Sequence, residues 1–133
     1  MRVAELMRTE LKTISADATV ADAITALTEA GVSATPVLDR YGRAVGVLST
    51  REILKAEHGL RSGRARDRLF DETLVLEVMA PWPVTVAPEA DVRDAAREML
   101  YLDVQRLFVE EKGALVGVIS QTDIVGAVAT RMV

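Results

Sequence analysis

No cysteine occurs in the 133 residues, which excludes disulfides, thiolate catalysis and cysteine-ligated zinc. Histidine is almost missing as well. His58 stands alone, so no site can recruit two imidazoles, and any serine–histidine mechanism would depend on that one residue. Positive charge is not in excess: the formal net charge is −4, whereas a general nucleic-acid binder needs a basic surface to neutralise phosphates. No uninterrupted apolar run approaches the roughly 20 residues of a membrane span. The first residues, MRVAELMRTEL, are charged and periodic and lack the apolar core of a secretory signal. These absences make a cytoplasmic protein the expectation. Half of the residues are hydrophobic and 27% are charged, as in an ordinary globular chain. A chain of this length forms one domain or two half-sized units that share a core.

What the sequence does have, it has twice. VGVLSTREIL at 45–54 returns as VGVISQTDIV at 116–125, with Glu52 in the first copy where the second has Asp123. A shift of 72 aligns Val3–Arg40 with Val75–Lys112, and a shift of 71 aligns Gly42–Leu54 with Gly113–Val125. Sixteen of these 51 positions are identical, where unrelated segments match at roughly one position in fifteen, so the chain is a tandem repeat. The identities include Glu5/Glu77, Met7/Met79, Thr13/Thr85, Asp22/Asp94, Gly46/Gly117 and Ser49/Ser120.

Each copy reads β-α-β-β-α. A short extended segment carries the threonine, KTIS at 12–15 and VTVA at 84–87. Helices follow over Val20–Ala30 and Val92–Leu102; in the first, Val20, Ala23, Ile24, Leu27 and Ala30 recur at helical spacing. Thr19 and Asp91 sit where an N-cap acceptor belongs, with Asp22 and Asp94 in the first turn. Two β-rich runs around the turns Asp39–Gly42 and Glu111–Gly113 predict a hairpin in each copy. Ser49 and Ser120 then open a second helix. At about 55 residues neither copy buries a comfortable core alone, so the two are expected to pack face to face. The expected organisation is repeat 1 over 1–57, an arginine-rich linker over 58–74 and repeat 2 over 75–133.

An apolar strand running through glycine into Ser-x-x-acid, inside a duplicated β-α-β-β-α unit, resembles a pair of CBS domains (a Bateman module). The resemblance covers about Val3–Lys55 and Val75–Thr130. It implies an α/β (α+β) fold of two repeats related by a pseudo-two-fold, and clefts between them that take AMP, ADP, ATP or S-adenosylmethionine. It also implies residue roles. The acid opening the last helix holds the ribose hydroxyls, the preceding serine touches ribose or phosphate, strand residues line the base, and a residue before the second strand reaches phosphate. Carried over, the second-repeat set is Thr85, Val86, Arg106, Ser120 and Asp123; the first-repeat set is Thr13, Ile14, Ala34, Ser49 and Glu52.

The chemistry fits. A fixed carboxylate accepts from both hydroxyls of a ribose, and a helix N-terminus offers unpaired N–H groups to phosphate. Uncharged β-rich walls suit a purine face, and Arg106 supplies a planar cation. The same residues have a plainer reading: Ser-x-x-Glu is a capping box, serving only to finish the helix. That reading weighs more for Ser49/Glu52, where glutamate is the preferred box partner and Ala34 replaces a basic residue. Ser120/Asp123, accompanied by Arg106, is the better-equipped nucleotide site.

Other features carry less. His58 reads as a solvent-facing histidine, and Arg61, Arg64, Arg66 and Arg68, interleaved with acids, read as a solvated linker. Trp82, between two prolines, is expected to pack at the entrance to repeat 2. Met7 and Met79 read as packing, and Thr13 and Thr85 have the alternative of being simply good strand residues. The leading function is a non-enzymatic ligand or energy sensor that shifts between two arrangements and signals to a protein partner. It is expected as a flat homodimer that makes no membrane or nucleic-acid contact and needs no metal or fixed cofactor. The alternative is a dimerisation or docking scaffold whose clefts stay empty. An enzyme is disfavoured for want of a P-loop, a metal cluster or a base near either serine.

Overall fold

The hairpin expected in each repeat is present in the backbone, and the rest of each half is built against it. The structure, a computed structural model, describes residues 1–81 and 84–131. In chain order the elements are α1 (Val3–Leu6), β1 (Ile14–Ser15), α2 (Val20–Ala30), β2 (Ala34–Leu38), β3 (Ala44–Ser49), α3 (Thr50–Glu57) and α4 (Gly63–Asp71). They continue with α5 (Val75–Val78), β4 (Ala80–Pro81), β5 (Thr85–Val86), α6 (Val92–Leu102), β6 (Arg106–Glu111), β7 (Ala114–Ser120) and α7 (Gln121–Ala129). Two compact units result, Lys12–Trp82, and Met1–Leu11 together with Pro83–Val133. The repeats are units of duplication, and each compact unit also takes in the short helix and extended segment that lead into the other repeat.

In the unit 12–82, β1 runs parallel to β2 with Ile14 opposite Val37, and β2 and β3 form the hairpin, with Val37 opposite Gly46. β4 closes the sheet order β1-β2-β3-β4, with Ala80 opposite Val47. Residues that alternate onto one face, Val37 and Leu48, join Ile14, Ala23, Leu27 and Val75 in the core, with Ile53 packed against them. Thus α2 and α3 cover that face, and Ala34, Val47 and Ser49 belong to the other. In the second unit, β5 runs parallel to β6 with Thr85 opposite Phe108, and β7 returns antiparallel with Arg106 opposite Ser120. Its core gathers Val92, Ala95, Met99, Leu107, Val109 and Ile119, together with Val3 of α1. The place that β4 takes in the first unit is filled here by Arg8, which exchanges both backbone hydrogen bonds with Val118.

The helix ends follow their sequence signals. Thr19 Oγ1 accepts from Asp22 N–H at 3.1 Å, and an Asp91 carboxylate oxygen accepts from Arg93 N–H at 2.8 Å. Gly31 and Asp103, at corresponding positions, both end their helices in the left-handed region, with φ 66° and 54°.

One difference from the sequence reading lies in 58–74. Half of that segment is helix: Ser62 caps α4 by accepting from Ala65 N–H at 3.0 Å, Leu69 is buried, and α4 packs on α2 and α3. A single buried leucine among four arginines gives too little periodicity to announce a helix. The short α1 and α5 were missed for a similar reason, since one turn leaves no period to see. No helix among the described residues is long and apolar enough to cross a membrane.

Candidate functional site

β7 stops and α7 starts at Ser120, whose extended backbone (φ −117°, ψ 163°) turns its hydroxyl onto the first turn of the helix. Ser120 Oγ accepts from Asp123 N–H at 3.1 Å, and Asp123 Oδ2 accepts from Ser120 N–H at 3.0 Å. That is a complete reciprocal box. The other carboxylate oxygen, Oδ1, accepts from Arg8 Nε at 3.1 Å. Asp123 is therefore held from two sides: its side chain is 9% exposed, while that of Arg8 is 70% exposed.

The first copy is built differently at the same place. Ser49 Oγ lies 3.5 Å from Glu52 N and donates to Glu52 Oε1 at 2.9 Å. Glu52 does not return to the Ser49 amide, so the reciprocal box is made by aspartate and not, as the sequence suggested, by glutamate. A difference across the sheet accompanies this. Arg8 bridges Val118, and its counterpart Ala80 pairs with Val47, so among the described residues Asp123 has an arginine on its carboxylate and Glu52 does not. Glu52 instead folds back onto its own serine and borders a depression of about 420 Å³ with Lys55 and the Met79–Pro81 segment.

The repeated methionine and glycine explain how these partners come so close. A Cβ at Gly117 would sit 2.7 Å from Met7 Sδ and 2.9 Å from the Arg8 carbonyl oxygen; one at Gly46 would sit 2.5 Å from Met79 Sδ and 2.6 Å from the Ala80 carbonyl oxygen. Only glycine lets the segment carrying Arg8 or Ala80 lie against the strand. Met7 and Met79 pack at the edges of the two cores.

Cross-strand partners share a face of a sheet, which sorts the remaining candidates. Arg106 opposite Ser120, Arg8 opposite Val118, and Thr85 opposite Phe108 lie on the face turned away from the core of their unit. Thr85 Oγ1 is 3.5 Å from Glu110 Oε2. Val86 turns the other way and packs on the core, and so does Ile14, which is buried with Val37. Thr13 is exposed and precedes β1. Ala34 lies opposite Ser49, at the position that mirrors Arg106. The structure thus brings Arg106, Ser120 and Asp123 to one corner, with Thr85 on the same face of the sheet. Arg8 joins that corner from 115 residues away, and the sequence reading missed it. The available signal was its counterpart: Arg8 aligns with Ala80 just as Arg106 aligns with Ala34.

His58 is exposed and ends α3, its N–H donating to the Leu54 carbonyl at 2.9 Å. Arg64, Arg66 and Arg68 are exposed on α4, where Arg66 Nε donates to Glu57 Oε1 at 3.1 Å. Trp82 lies outside the described residues. No group of three or more histidine, aspartate or glutamate side chains among the described residues is arranged to hold a metal ion.

Comparison with known proteins gives this geometry relatives. A family model described as the CBS domain matches residues 3–59 and again 75–130. An A-adding tRNA nucleotidyltransferase of Aquifex aeolicus is 30% identical over 96% of this chain, which spans 14% of that enzyme. A CBS domain-containing protein of Dictyostelium discoideum is 30% identical over 92% of this chain and 87% of its own length. Several other curated relatives are also longer, the chain spanning 59% of one and 21% of another. Among solved structures, Arabidopsis thaliana CBSX2 in complex with AMP is 27% identical, with a TM-score of 0.81 over 99% of this chain and 98% of that one.

Proposed function

This chain belongs to the CBS-domain family, and we propose that it is a regulatory module that binds an adenosyl ligand at the Ser120–Asp123 corner and passes the signal to a protein partner. The observation that carries this reading is the state of Asp123. Its carboxylate is fixed at the start of α7 by Ser120 N–H and Arg8, yet each of its oxygens keeps an acceptor direction for a ribose hydroxyl. The capping-box reading and the ligand reading are therefore compatible, because the cap orients the acid that the ribose uses. The AMP found with CBSX2 supports the adenosyl class. Ligand acts by binding one conformation of the module better than another and so shifting the population. Nothing at the corner suggests catalysis: Ser120 Oγ accepts from a backbone amide, and the one histidine, His58, ends α3.

A thermal-melt panel with AMP, ADP, ATP, S-adenosylmethionine, NAD and GTP tests the reading. Ligand at a hundred times its dissociation constant stabilises by about 2.7 kcal/mol, which moves the melt by several degrees. The variant to compare is Asp123→Asn, whose amide oxygen still accepts from Ser120 N–H while the charge is gone. Shifts confined to adenine compounds and lost in Asp123→Asn are expected. No shift at millimolar concentration would leave the corner as a helix cap and favour the scaffold.

A second observation favours self-association as part of the same function. Leu100, Tyr101, Val125 and Val128 are exposed on α6 and α7, beside an apolar groove of about 320 Å³. Arg93 and Arg97 line it, and Asp94 and Glu98 follow on the same helix, a mixed set that a second copy, related by a two-fold axis, can answer with opposite charges. A homodimer through this face is the proposed assembly.

A further inference from the structure

Two arginines border the Ser120–Asp123 corner, and their counterparts at the Ser49–Glu52 corner are both alanine. Arg106 and Ser120 are paired across β6 and β7, as Ala34 and Ser49 are across β2 and β3. Arg8 bridges Val118 where Ala80 pairs with Val47. Arg8 and Arg106 therefore stand beside the one carboxylate of Asp123 at the positive end of α7, with Glu110 further along the same face, against Thr85. The corner around Glu52 has one carboxylate and, a turn further along α3, Lys55.

Arg8 meets Asp123 with a single side-on bond from Nε. A guanidinium carries five N–H donors, and the four on the terminal nitrogens of Arg8 meet no carboxylate among the described residues. Its side chain is mostly exposed although that of the acid that it holds is 9% exposed. A residue needed only to neutralise Asp123 would be expected to pair fork to fork. This one holds the acid by one edge and leaves its fork available to a second anion.

We propose that Arg8 is a specificity-determining residue of this corner: together with Arg106 it selects anionic adenosyl ligands, nucleotides carrying phosphate, over neutral adenosine and over a cationic sulfonium such as S-adenosylmethionine. The inference rests on the adenosyl-ligand reading above and adds to it the charge of the ligand and a residue that recognises it. The bond to Asp123 sets Arg8 in place; its terminal nitrogens then recognise the phosphate. The corner at Glu52, with alanines at both positions, makes no such selection.

Calorimetric titration of the full chain with AMP, adenosine and S-adenosylmethionine at low and moderate salt tests this, on the wild type, Arg8→Ala and Arg8→Lys. The wild type is expected to bind AMP at least tenfold more tightly than the other two. Arg8→Ala should weaken AMP about tenfold, as loss of a charge-assisted hydrogen bond does, leave adenosine within about twofold, and flatten the salt dependence of AMP binding. Arg8→Lys should recover part of the preference through charge alone. Equal weakening of AMP and adenosine in Arg8→Ala would mean that Arg8 only holds Asp123; the selection would be overturned while the adenosyl reading stood. Equal affinity of the wild type for all three ligands would overturn it as well. If no adenosyl compound binds the wild type, both readings fall together.

Discussion

The two corners share a scaffold and differ in charge. Both keep a serine that caps a helix, a glycine that admits a neighbouring backbone, and a methionine packed against that glycine. Across this common frame the second copy has Arg8 on Asp123 and Arg106 opposite Ser120, where the first has Ala80 opposite Val47 and Ala34 opposite Ser49. The difference teaches that the duplicated pattern specifies how strand, helix and lead-in segment meet. On the proposed reading, what a corner binds is left to the side chains at three positions outside that frame.

The helical faces differ in a parallel way. α2 and α3 are covered in part by α4, whose Arg66 reaches Glu57. The counterpart of Glu57 is Val128, and those of Thr28 and Glu29 are Leu100 and Tyr101, all three exposed and apolar. The largest effect is therefore expected from Leu100→Glu combined with Val128→Glu. A charge at the centre of an apolar contact costs about 2 kcal/mol or more per residue, roughly thirtyfold in dissociation constant. Light scattering after size exclusion should show the mass falling from dimer to monomer, while Thr28→Glu leaves it unchanged. A wild-type monomer at all concentrations would remove the proposed interface.

The next effect should be equal in the two halves. Gly117→Ala and Gly46→Ala each force a methyl group to within 3 Å of a methionine sulfur and a backbone carbonyl. The sulfur is on a flexible side chain and can yield; the carbonyl is held by the strand pairing. Each substitution is expected to cost about 1–3 kcal/mol in urea unfolding, and Gly117→Ala alone should also weaken the bond between Arg8 and Asp123. A cost in one half only would mean that the lead-in segments are not equivalent parts of the two sheets.

Much of this was legible in the sequence because it is local or repeated. The boundaries of α2 and α6 follow from apolar spacing between a cap residue and a left-handed stop, and the hairpins follow from their turns. The three-residue spacing of Ser120 and Asp123 reads as a helix cap, and the CBS resemblance marked the pair as a candidate site. Arg8 was not, because its place beside Asp123 depends on a backbone bridge to Val118, 110 positions along the chain, which no local pattern encodes. α4 escaped because its stability comes from Leu69 docking on α2 and α3 rather than from its own periodicity. The caps were misjudged for a related reason. Glutamate is the preferred box partner in isolation, and Glu5 and Glu77 do bond back to the Arg2 and Leu74 amides. At the two serine caps, however, the reciprocal box forms at Asp123, which Arg8 also holds, and not at Glu52.

That last point gives the smallest and most discriminating prediction. Ser120→Ala removes the acceptor for Asp123 N–H, yet Asp123 keeps its bonds from the residue 120 amide and from Arg8, since neither involves the serine side chain. Ser49→Ala removes the acceptor for Glu52 N–H and, with it, the hydroxyl that Glu52 Oε1 accepts from. Loss of an N-cap serine costs about 0.5–2 kcal/mol. Ser120→Ala is expected near the lower end of that range and Ser49→Ala near the upper end, although the Ser49 cap is the longer and on distance alone would be taken for the weaker. A double-mutant cycle sharpens the contrast: Glu52→Ala should add little to Ser49→Ala, whereas Asp123→Ala should still cost measurable stability on top of Ser120→Ala. Equal behaviour of the two serines would mean that Arg8 contributes nothing to holding Asp123 in solution, and the distinction between the two corners would then rest on Arg106 alone.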